Sequence, residues 1–406
     1  MDSRNEERNA LGAVSRRGLL KGAAALTAAW SAPTPVAAQS GNPTYVYIGT
    51  YNPKGVGIYI YQMDPATGTL TLKNSVADAS PSSLVVHPTG KYLYAVNEIS
   101  NFNGGTTGSV TAYSIDRPSG NLTKINAVTS GGGGPAHVET DAAGKWVFAS
   151  NYGGGSVAIL PINADGSVGA PTDVESASGP LGPMQAPFRP AGNFSNSGHD
   201  AGHVHMAATD PSGKYLLFTD LGRDQLTVWN FDAVAGKITP NNYIKTLAGG
   251  GARHFAFHPN GKWVYLICEE DSTLLFATFD PATGKLTPVS FIQTVPPGFR
   301  GTNYTSEVAV SSDGRFVYGA NRYYNAIALF SIDQGTGAPT LLSNEWTRGD
   351  YPRLFAIDPT GNFMYVVHNN NDVATTFSIN KATGALTFTG QFIGVGAPSG
   401  VAFLAT

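Results

Sequence analysis

Residues 87–98, which read HPTGKYLYAVNE, contain the pattern that decides the fold. A turn phrase ending in Gly-Lys is followed by an apolar and aromatic run and then by a polar pair. Such a run after a turn signal is typical of a short β-strand. Related turn phrases, each followed by a β-rich run, recur around Gly144, Gly213, Gly261, Gly314 and Gly361. The chain is therefore built from internal repeats that share this turn and strand.

A second turn phrase, of the type Asp-Pro-Ala-Thr-Gly, fixes the repeat count at seven. Its final glycines are separated by 46 to 70 residues and are Gly68, Gly120, Gly166, Gly236, Gly284, Gly337 and Gly384. Each unit contains about four short β runs separated by turn residues, without helical periodicity. Four strands per repeat at this spacing predict an all-β fold, a seven-bladed β-propeller with four antiparallel strands in each blade.

The two ends of the repeat array complement each other. The run 45–50 matches the second strand of a unit, and the run 398–403 matches the first strand. We therefore predict that the C-terminal strand completes the first blade and closes the ring, which leaves no open sheet edge. The longest interval carries about 20 extra residues, rich in Gly, Pro and Ser, between Ser167 and Gly202. This segment is predicted to form one long loop, and long loops in compact folds are often functional.

Composition excludes several classes of protein. The chain has 406 residues, of which 42% are hydrophobic and 13% charged, so most of it is not disordered. A formal net charge of −3 provides no basic field for a nucleic-acid backbone, and nucleic acid is not an expected partner. The single cysteine, Cys268, cannot form an internal disulfide, and the sequence has no Cys/His zinc spacing.

The N-terminus predicts export. Ser15-Arg16-Arg17-Gly18-Leu19-Leu20-Lys21 resembles a twin-arginine (Tat) signal, and an uncharged run follows from Gly22 to Ala32. Val36-Ala37-Ala38 offers a small-residue cleavage site, while the apolar run is too short to span a membrane. We predict a signal peptide at 1–38, a single propeller domain at 39–406, and a periplasmic or secreted protein without a membrane span.

Aligning the repeats gives columns of polar residues near one rim of the central channel. The opening positions of the first strands hold His205, Arg253 and Arg353 in one column and His137, His254 and Glu307 in the next. The residues that follow the second strands include Glu269 and Arg322, and the column before them includes Cys268 and several Asn. Packing alone would repeat one residue type at a repeated position, so this variation predicts a polar site on the axis. The Asn residues are interpreted mainly as turn caps, the histidines as functional or as satisfied channel residues, and Cys268 is not a candidate nucleophile.

The ordered set of phrases resembles the seven-bladed propeller lactonase family. This family contains one type of 6-phosphogluconolactonase and the fungal 3-carboxy-cis,cis-muconate lactonizing enzymes. The segments that carry the resemblance are 49–51, 88–98, 151–152, 220–224, 252–255, 313–318 and 321–322. In the muconate enzymes the proposed catalytic set is one His, two Arg and one Glu without a metal. The resemblance places that set on His205, Arg253, Glu269 and Arg322 of this chain.

The predicted function is hydrolysis of a sugar-acid or related lactone, without cofactor or metal. His137, His254, Glu307 and Arg353 are predicted to bind the substrate, a small-molecule lactone or carboxylate. Glu269 or His205 would take a proton from water, and an Arg would stabilise the oxyanion. An exported enzyme would meet an unphosphorylated lactone, since sugar phosphates are mainly cytosolic. A lactonizing cycloisomerase and a non-catalytic ligand- or protein-binding propeller are the alternatives, and no oligomeric state is predicted.

Overall fold

Short β-strands form nearly all the regular structure of residues 44–404, the part of the chain that this computed structural model describes. The predicted signal peptide at 1–38 and the predicted domain start at residue 39 lie outside the described residues. One turn of 3₁₀ helix at Phe102–Gly104 is the helical element of the described range. Within that range, no helix has the length and hydropathy needed to cross a membrane.

The strands form seven four-stranded antiparallel sheets, which confirms the predicted seven-bladed propeller. From inner to outer strand they are, for blade 1, β28 (Pro398–Leu404), β1 (Thr44–Thr50), β2 (Gly57–Met63) and β3 (Leu70–Ala77); for blade 2, β4 (Pro81–Val86), β5 (Tyr92–Asn97), β6 (Ser109–Asp116) and β7 (Asn121–Thr129); for blade 3, β8 (Pro135–Thr140), β9 (Trp146–Asn151), β10 (Ser156–Pro161) and β11 (Asp173–Glu175); for blade 4, β12 (Val204–Thr209), β13 (Tyr215–Asp220), β14 (Gln225–Asp232) and β15 (Lys237–Lys245); for blade 5, β16 (Ala252–Phe257), β17 (Trp263–Cys268), β18 (Thr273–Asp280) and β19 (Lys285–Gln293); for blade 6, β20 (Thr305–Val310), β21 (Phe316–Asn321), β22 (Ala326–Ile332) and β23 (Pro339–Trp346); for blade 7, β24 (Pro352–Ile357), β25 (Phe363–His368), β26 (Val373–Ile379) and β27 (Leu386–Gly394).

The ring closes as the split first repeat predicts. Strand β28 pairs antiparallel with β1, in a register that runs from Tyr45 opposite Leu404 to Thr50 opposite Pro398. The inner strands contact one another in sequence, from β4 around to β28 and back to β4. The C-terminal strand therefore joins blade 1 and completes the wall of the central channel.

The two turn phrases of the sequence meet at the blade interfaces. In five blades a buried tyrosine of the second strand donates a hydrogen bond to the backbone oxygen of the turn glycine in the next blade, as Tyr47 does to Gly120 at 3.0 Å and Tyr365 to Gly68 at 2.8 Å. Gly120 has a positive φ of 70°, and a Cβ there would lie 2.4 Å from the Tyr45 ring. The repeated glycine therefore provides both the turn conformation and the space for close blade contact.

The predicted long loop is partly regular. Strand β11, which spans Asp173–Glu175, lies inside the segment 167–202 that the sequence predicts as loop. It is the outer strand of blade 3 and pairs with β10. A three-residue strand between Gly-, Pro- and Ser-rich stretches has too few residues to show periodicity. The irregular segment therefore runs from 176 to 203, and we call it the insertion.

Candidate active site

A β-bulge near the start of each inner strand directs side chains into the channel. In blade 5, Ala252 pairs with Cys268 and His254 pairs with Ile267, so Arg253 is left unpaired. Arg353 of blade 7 occupies the same bulged position, and His205 lies in the register shift of blade 4. A bulge changes the direction of a side chain relative to the regular alternation of a strand. As a result, the consecutive residues Arg253 and His254 line one cavity.

Glu269 bridges two buried arginines at this rim. Its Oε2 lies 2.8 Å from Nε of Arg253, and its Oε1 lies 2.7 Å from an Nη of Arg322. The three side chains are at most 7% exposed. Arg253 comes from the bulge of β16, whereas Glu269 and Arg322 directly follow β17 and β21. The structure thus brings together three of the four residues predicted as catalytic, from two adjacent blades.

The charges of this cluster are coupled. Burial alone would raise the pKa of Glu269, but Arg322 and Arg253 outweigh it and hold that pKa below its ordinary value. Burial together with the neighbouring Arg322 lowers the pKa of Arg253 to about 10. For Arg322 the effect of burial is outweighed by Glu269, and the pKa is raised. At neutral pH, Glu269 is therefore a carboxylate between two guanidinium cations.

The fourth predicted catalytic residue, His205, belongs to a cluster of imidazoles beside these ion pairs. Its Nδ1 lies 3.0 Å from Nε2 of His254, and Nδ1 of His254 lies 3.1 Å from Oε2 of Glu307. The ring of His137 packs edge-on against His254, with 5.3 Å between centroids. Burial and the charge of Arg253 lower the pKa of both His205 and His254 well below the ordinary histidine value. Both imidazoles are therefore neutral in the folded protein at neutral pH.

The predicted substrate-binding residues line the same channel mouth. A cavity of about 20 Å³ is bounded by three histidines, two arginines and small serines, namely Ser82, Ser83, His137, His205, Arg253, His254, Arg353 and Ser399, together with Ala136 and Leu354. Glu307 contacts this group through His254. The volume is sufficient for about one water molecule. The cavity is therefore too small to enclose a molecule the size of a sugar lactone.

Tyrosines, which were not among the predicted site residues, surround the arginines. Arg353 donates a hydrogen bond to the hydroxyl of Tyr51, which in turn donates to Glu98 at 2.6 Å. Arg322 donates to the hydroxyl of Tyr351 at 2.9 Å. Its guanidinium lies 5.1 Å from the ring centroids of both Tyr351 and Tyr304. These contacts restrict the orientation of both guanidinium groups.

The insertion lies at the same rim, beside Glu269. The backbone N–H of Asn196 donates to the hydroxyl of Tyr304 at 2.8 Å, and the hydroxyl of Tyr152 donates to the backbone oxygen of Ser197 at 3.3 Å. The Ser197 side chain contributes to the lowered pKa of Glu269. The insertion therefore forms part of the wall of the candidate site.

Cys268 does not face the site, which corrects the interpretation of its column as site-facing. Its side chain is fully buried in the apolar core of blade 5, and burial raises the pKa of the thiol well above its ordinary value. Asn97, in the same column, accepts hydrogen bonds from the hydroxyls of Ser109 and Thr111 within its own blade. Since side chains alternate along the chain at a strand end, Glu269, the residue after Cys268, points away from this core and contacts the two arginines.

The residues that the structure describes contain no group of three or more His, Cys, Asp or Glu side chains arranged to hold a metal ion. The absence of a catalytic metal stays a prediction. Three arginines lie near His205, and their positive charges oppose the binding of a cation by the neighbouring histidines and carboxylates.

A family model for the seven-bladed β-propeller lactonases matches residues 45–403. The chain belongs to the seven-bladed β-propeller lactonase family. This membership confirms the resemblance inferred from the repeated phrases. It also confirms the predicted enzyme class, a lactone hydrolase similar to the 6-phosphogluconolactonases.

Individual family members are similar over most of this chain. A 6-phosphogluconolactonase of Bacillus subtilis is 30% identical over 315 residues, which are 77% of this chain and 84% of that protein. A 6-phosphogluconolactonase of Formosa agariphila is 29% identical over 323 residues, 77% of this chain and 86% of that protein. Among solved structures, a periplasmic gluconolactonase of Pseudomonas aeruginosa is 28% identical with a TM-score of 0.79, and the match covers 89% of this chain and 99% of that one. The catalytic and binding roles of individual residues in this lactonase stay predictions.

Proposed function

We propose that this lactonase hydrolyses the lactone of an unphosphorylated sugar acid at the channel mouth. The observation that carries the proposal is the arrangement of Arg253 and Arg322 around one carboxylate, with Arg253 and His205 lining one cavity. A fixed guanidinium stabilises the oxyanion that forms when water attacks a carbonyl, and a neutral imidazole accepts the proton of that water. Both groups are present at one rim.

In the proposed reaction His205 acts as the base. It takes a proton from a water molecule whose oxygen attacks the lactone carbonyl carbon. Arg253 stabilises the resulting oxyanion, and the ring C–O bond then breaks. The imidazolium of His205 returns its proton to the departing alkoxide, so the products are a hydroxyl group and a carboxylic acid, which ionises.

Glu269 is assigned to hold the two arginines rather than to act as the base. Each of its oxygens contacts a guanidinium, and its pKa is lowered by Arg322 and Arg253. Both oxygens of Glu269 are therefore already paired with guanidinium groups. Nε2 of His205, in contrast, has no hydrogen-bond partner among residues 44–404, and the His205 side chain lines the cavity. Of the two candidate bases in the sequence, the geometry favours His205.

Charge pairing at the site favours a substrate without a phosphate group. Arg253 and Arg322 share Glu269, and Arg353 lies 3.6 Å from Glu98, so each of these guanidinium groups already has a carboxylate partner. A phosphate dianion is bound best by cations that are free to pair with it. The relatives act on both substrate types by name, since one is a 6-phosphogluconolactonase and another a periplasmic gluconolactonase.

The experiment compares ring opening of glucono-δ-lactone and 6-phosphoglucono-δ-lactone by the purified chain, in a pH-stat and above the spontaneous rate. We expect kcat/KM to be at least about tenfold higher for the unphosphorylated lactone, because phosphate binding must displace an existing ion pair. A preference for the phosphorylated lactone would contradict the substrate class but not the reaction. Conversion of a carboxy-muconate alone would indicate the cycloisomerase, and tight binding without turnover a non-catalytic propeller.

We further propose that the protein is exported and works in the periplasm. Two observations support this location: the paired arginines at Arg16 and Arg17 ahead of an apolar run, and the similarity to a gluconolactonase named as periplasmic. Export also agrees with an unphosphorylated substrate.

A further inference from the structure

We propose that Glu307 and His254 are positioning residues that set the tautomer of His205, and so decide whether His205 can act as the base. This inference rests on the proposed function, and it assigns His254 and Glu307 a role other than the substrate binding predicted from the sequence. It follows from a continuous chain of side-chain contacts, in which Glu307 contacts His254 and His254 contacts His205.

Neighbouring side chains in this series lie within hydrogen-bond distance of each other. Nδ1 of His254 lies 3.2 Å and 3.1 Å from the two carboxylate oxygens of Glu307, and Nε2 of His254 lies 3.0 Å from Nδ1 of His205. His205 and His254 are both at most 5% exposed. No group among residues 44–404 hydrogen bonds to Nε2 of His205, while the His205 side chain lines the cavity with Arg253.

An ionised Glu307 determines which ring nitrogen carries the proton in both His254 and His205. A carboxylate only accepts, so Nδ1 of His254 must carry the hydrogen that it donates. Because His254 is neutral, its Nε2 is then an acceptor, and Nδ1 of His205 must donate to it. His205 is also neutral, which leaves the lone pair of its Nε2 free at the cavity. This assignment follows from hydrogen-bond matching.

Protonation of Glu307 reverses the donor and acceptor roles in both hydrogen bonds of this series. Its O–H donates to Nδ1 of His254, so the His254 proton moves to Nε2, which donates to Nδ1 of His205. His205 then carries its proton on Nε2 and cannot accept one from water. Burial raises the pKa of Glu307 to about 7, which places this reversal in the physiological range.

Several other groups face Glu307 and its partners from the neighbouring inner strands. Glu307 lies on β20 and also accepts a hydrogen bond from the backbone N–H of Val308 at 2.9 Å. Arg253 and His137 influence its charge directly. The titratable and charged groups around Glu307, His254 and His205 are His137 on β8, Arg253 on β16 and Arg353 on β24, and the charges of Glu269 and Arg322 also act on His254. Burial lowers the pKa of His137 to about 3, so Glu307 is the group of this set that changes protonation near pH 7.

The kinetic test is the pH dependence of lactone kcat/KM for the wild type and Glu307→Gln. The wild type should lose about tenfold in kcat/KM for each pH unit below 7, as Glu307 protonates. In Glu307→Gln the amide oxygen still accepts from His254 but does not titrate, so this loss should disappear. His254→Gln should lower kcat/KM at pH 8 by about 10²-fold or more, because the chain is interrupted.

Glu139→Gln is the matched control. Glu139 is a second carboxyl on an inner strand, β8, whose pKa burial also raises to about 7, but its contact is the backbone N–H of Thr140. This variant should retain the wild-type pH profile. An unchanged profile in Glu307→Gln, or full activity in His254→Gln, would overturn the positioning role in an active enzyme.

A second measurement separates this inference from the proposed function, since it needs no turnover. The ¹⁵N chemical shifts of labelled histidines, with His205 assigned by His205→Gln, report which ring nitrogen carries the proton. At pH 8 we expect the proton of His205 on Nδ1, and at pH 6 on Nε2, with the pH 6 state absent in Glu307→Gln. A proton on Nε2 at pH 8 would refute the inference even if the protein hydrolyses lactones, and the expected shifts would support it even if the substrate is different.

Discussion

Glu269 is the carboxylate partner of two buried guanidinium groups, those of Arg253 and Arg322. We expect Glu269→Gln to lower the free energy of unfolding by about 3–5 kcal/mol, because removing one partner leaves uncompensated buried charge. Urea unfolding measures this change. Glu345→Gln is the control, since Glu345 pairs with Arg348 at the surface, where a pair contributes about 0–1 kcal/mol. Equal losses in the two variants would show that Glu269 does not hold the arginines.

Individual site residues could be predicted only where the repeat alignment gave a contrast. His205, Arg253, Glu269 and Arg322 stand out because they are ionisable residues in columns whose residue type varies from blade to blade. The surrounding tyrosines were missed. Tyr51 follows β1 just as Glu269 follows β17, and Tyr304 and Tyr351 directly precede inner strands, so their alignment held the signal. An aromatic residue at a strand end is also common in packing, and sequence alone did not separate the two roles.

The insertion is fastened to the propeller by a buried histidine between two carboxylates. His199 lies 2.9 Å from Asp224 and 3.4 Å from Glu270, and Glu270 also accepts from the backbone and hydroxyl of Ser197. Burial alone would lower the pKa of His199, but Asp224 and Glu270 outweigh it and raise the pKa to about 9. The unfolded chain releases this proton near pH 6.5, so its stabilising effect is full below that pH and is lost as pH rises to about 9.

We therefore expect the melting temperature of the wild type to fall between pH 7 and pH 9, and His199→Gln to lose most of this dependence. Differential scanning calorimetry across that range makes the comparison. His87→Gln serves as the control, because the His87 ring contacts Thr89 and the backbone oxygen of Gly144 rather than a carboxylate. The same slope in His199→Gln and the wild type would contradict the anchoring role.

Strands and turns could be predicted from the sequence where they recur in each blade, whereas contacts that occur once could not. Strand order within each blade followed from the recurring turn phrases, since tertiary contacts reinforce the same local pattern seven times. The position of the insertion followed from the long interval, but its anchoring did not. His199 belongs to no repeat position, and the sequence does not show that it contacts the turn residues Asp224 and Glu270. The bulges at the inner strands also left no signal, since one extra residue does not disturb a six-residue pattern.

For the whole molecule, the sequence predicted both the seven blades and the closure of the ring. Closure was predictable because blade 1 is built from two parts of the chain, and both parts can be recognised in the sequence. The chain begins a blade with β1 and completes it with β28, and the sequence shows both fragments. Association of distant residues such as His205 and Arg322 follows from the propeller geometry, which places the same end of every inner strand at one rim.

The arginine pair near the N-terminus is predicted to direct the whole protein to the Tat pathway. Replacing Arg16 and Arg17 by lysine should leave the precursor in the cytoplasm, because the Tat pathway requires the paired arginines. Cell fractionation and immunoblotting of a tagged chain measure the distribution. Replacing Lys21 by arginine, which retains the arginine pair, should leave export intact. Unchanged periplasmic accumulation of the double lysine variant would contradict Tat export.

The proposed role of Arg253 is to stabilise the oxyanion of a lactone at the channel mouth, and kcat/KM of Arg253→Lys tests this role. Lysine keeps the charge but lacks the rigid fork that Glu269 holds in place. We predict that kcat/KM for glucono-δ-lactone falls by about 10²–10³-fold in Arg253→Lys with the fold retained, as judged by circular dichroism. Arg315→Lys, in an exposed turn paired with Asp313, should match the wild type. A folded Arg253→Lys variant with wild-type turnover would contradict oxyanion stabilisation by Arg253.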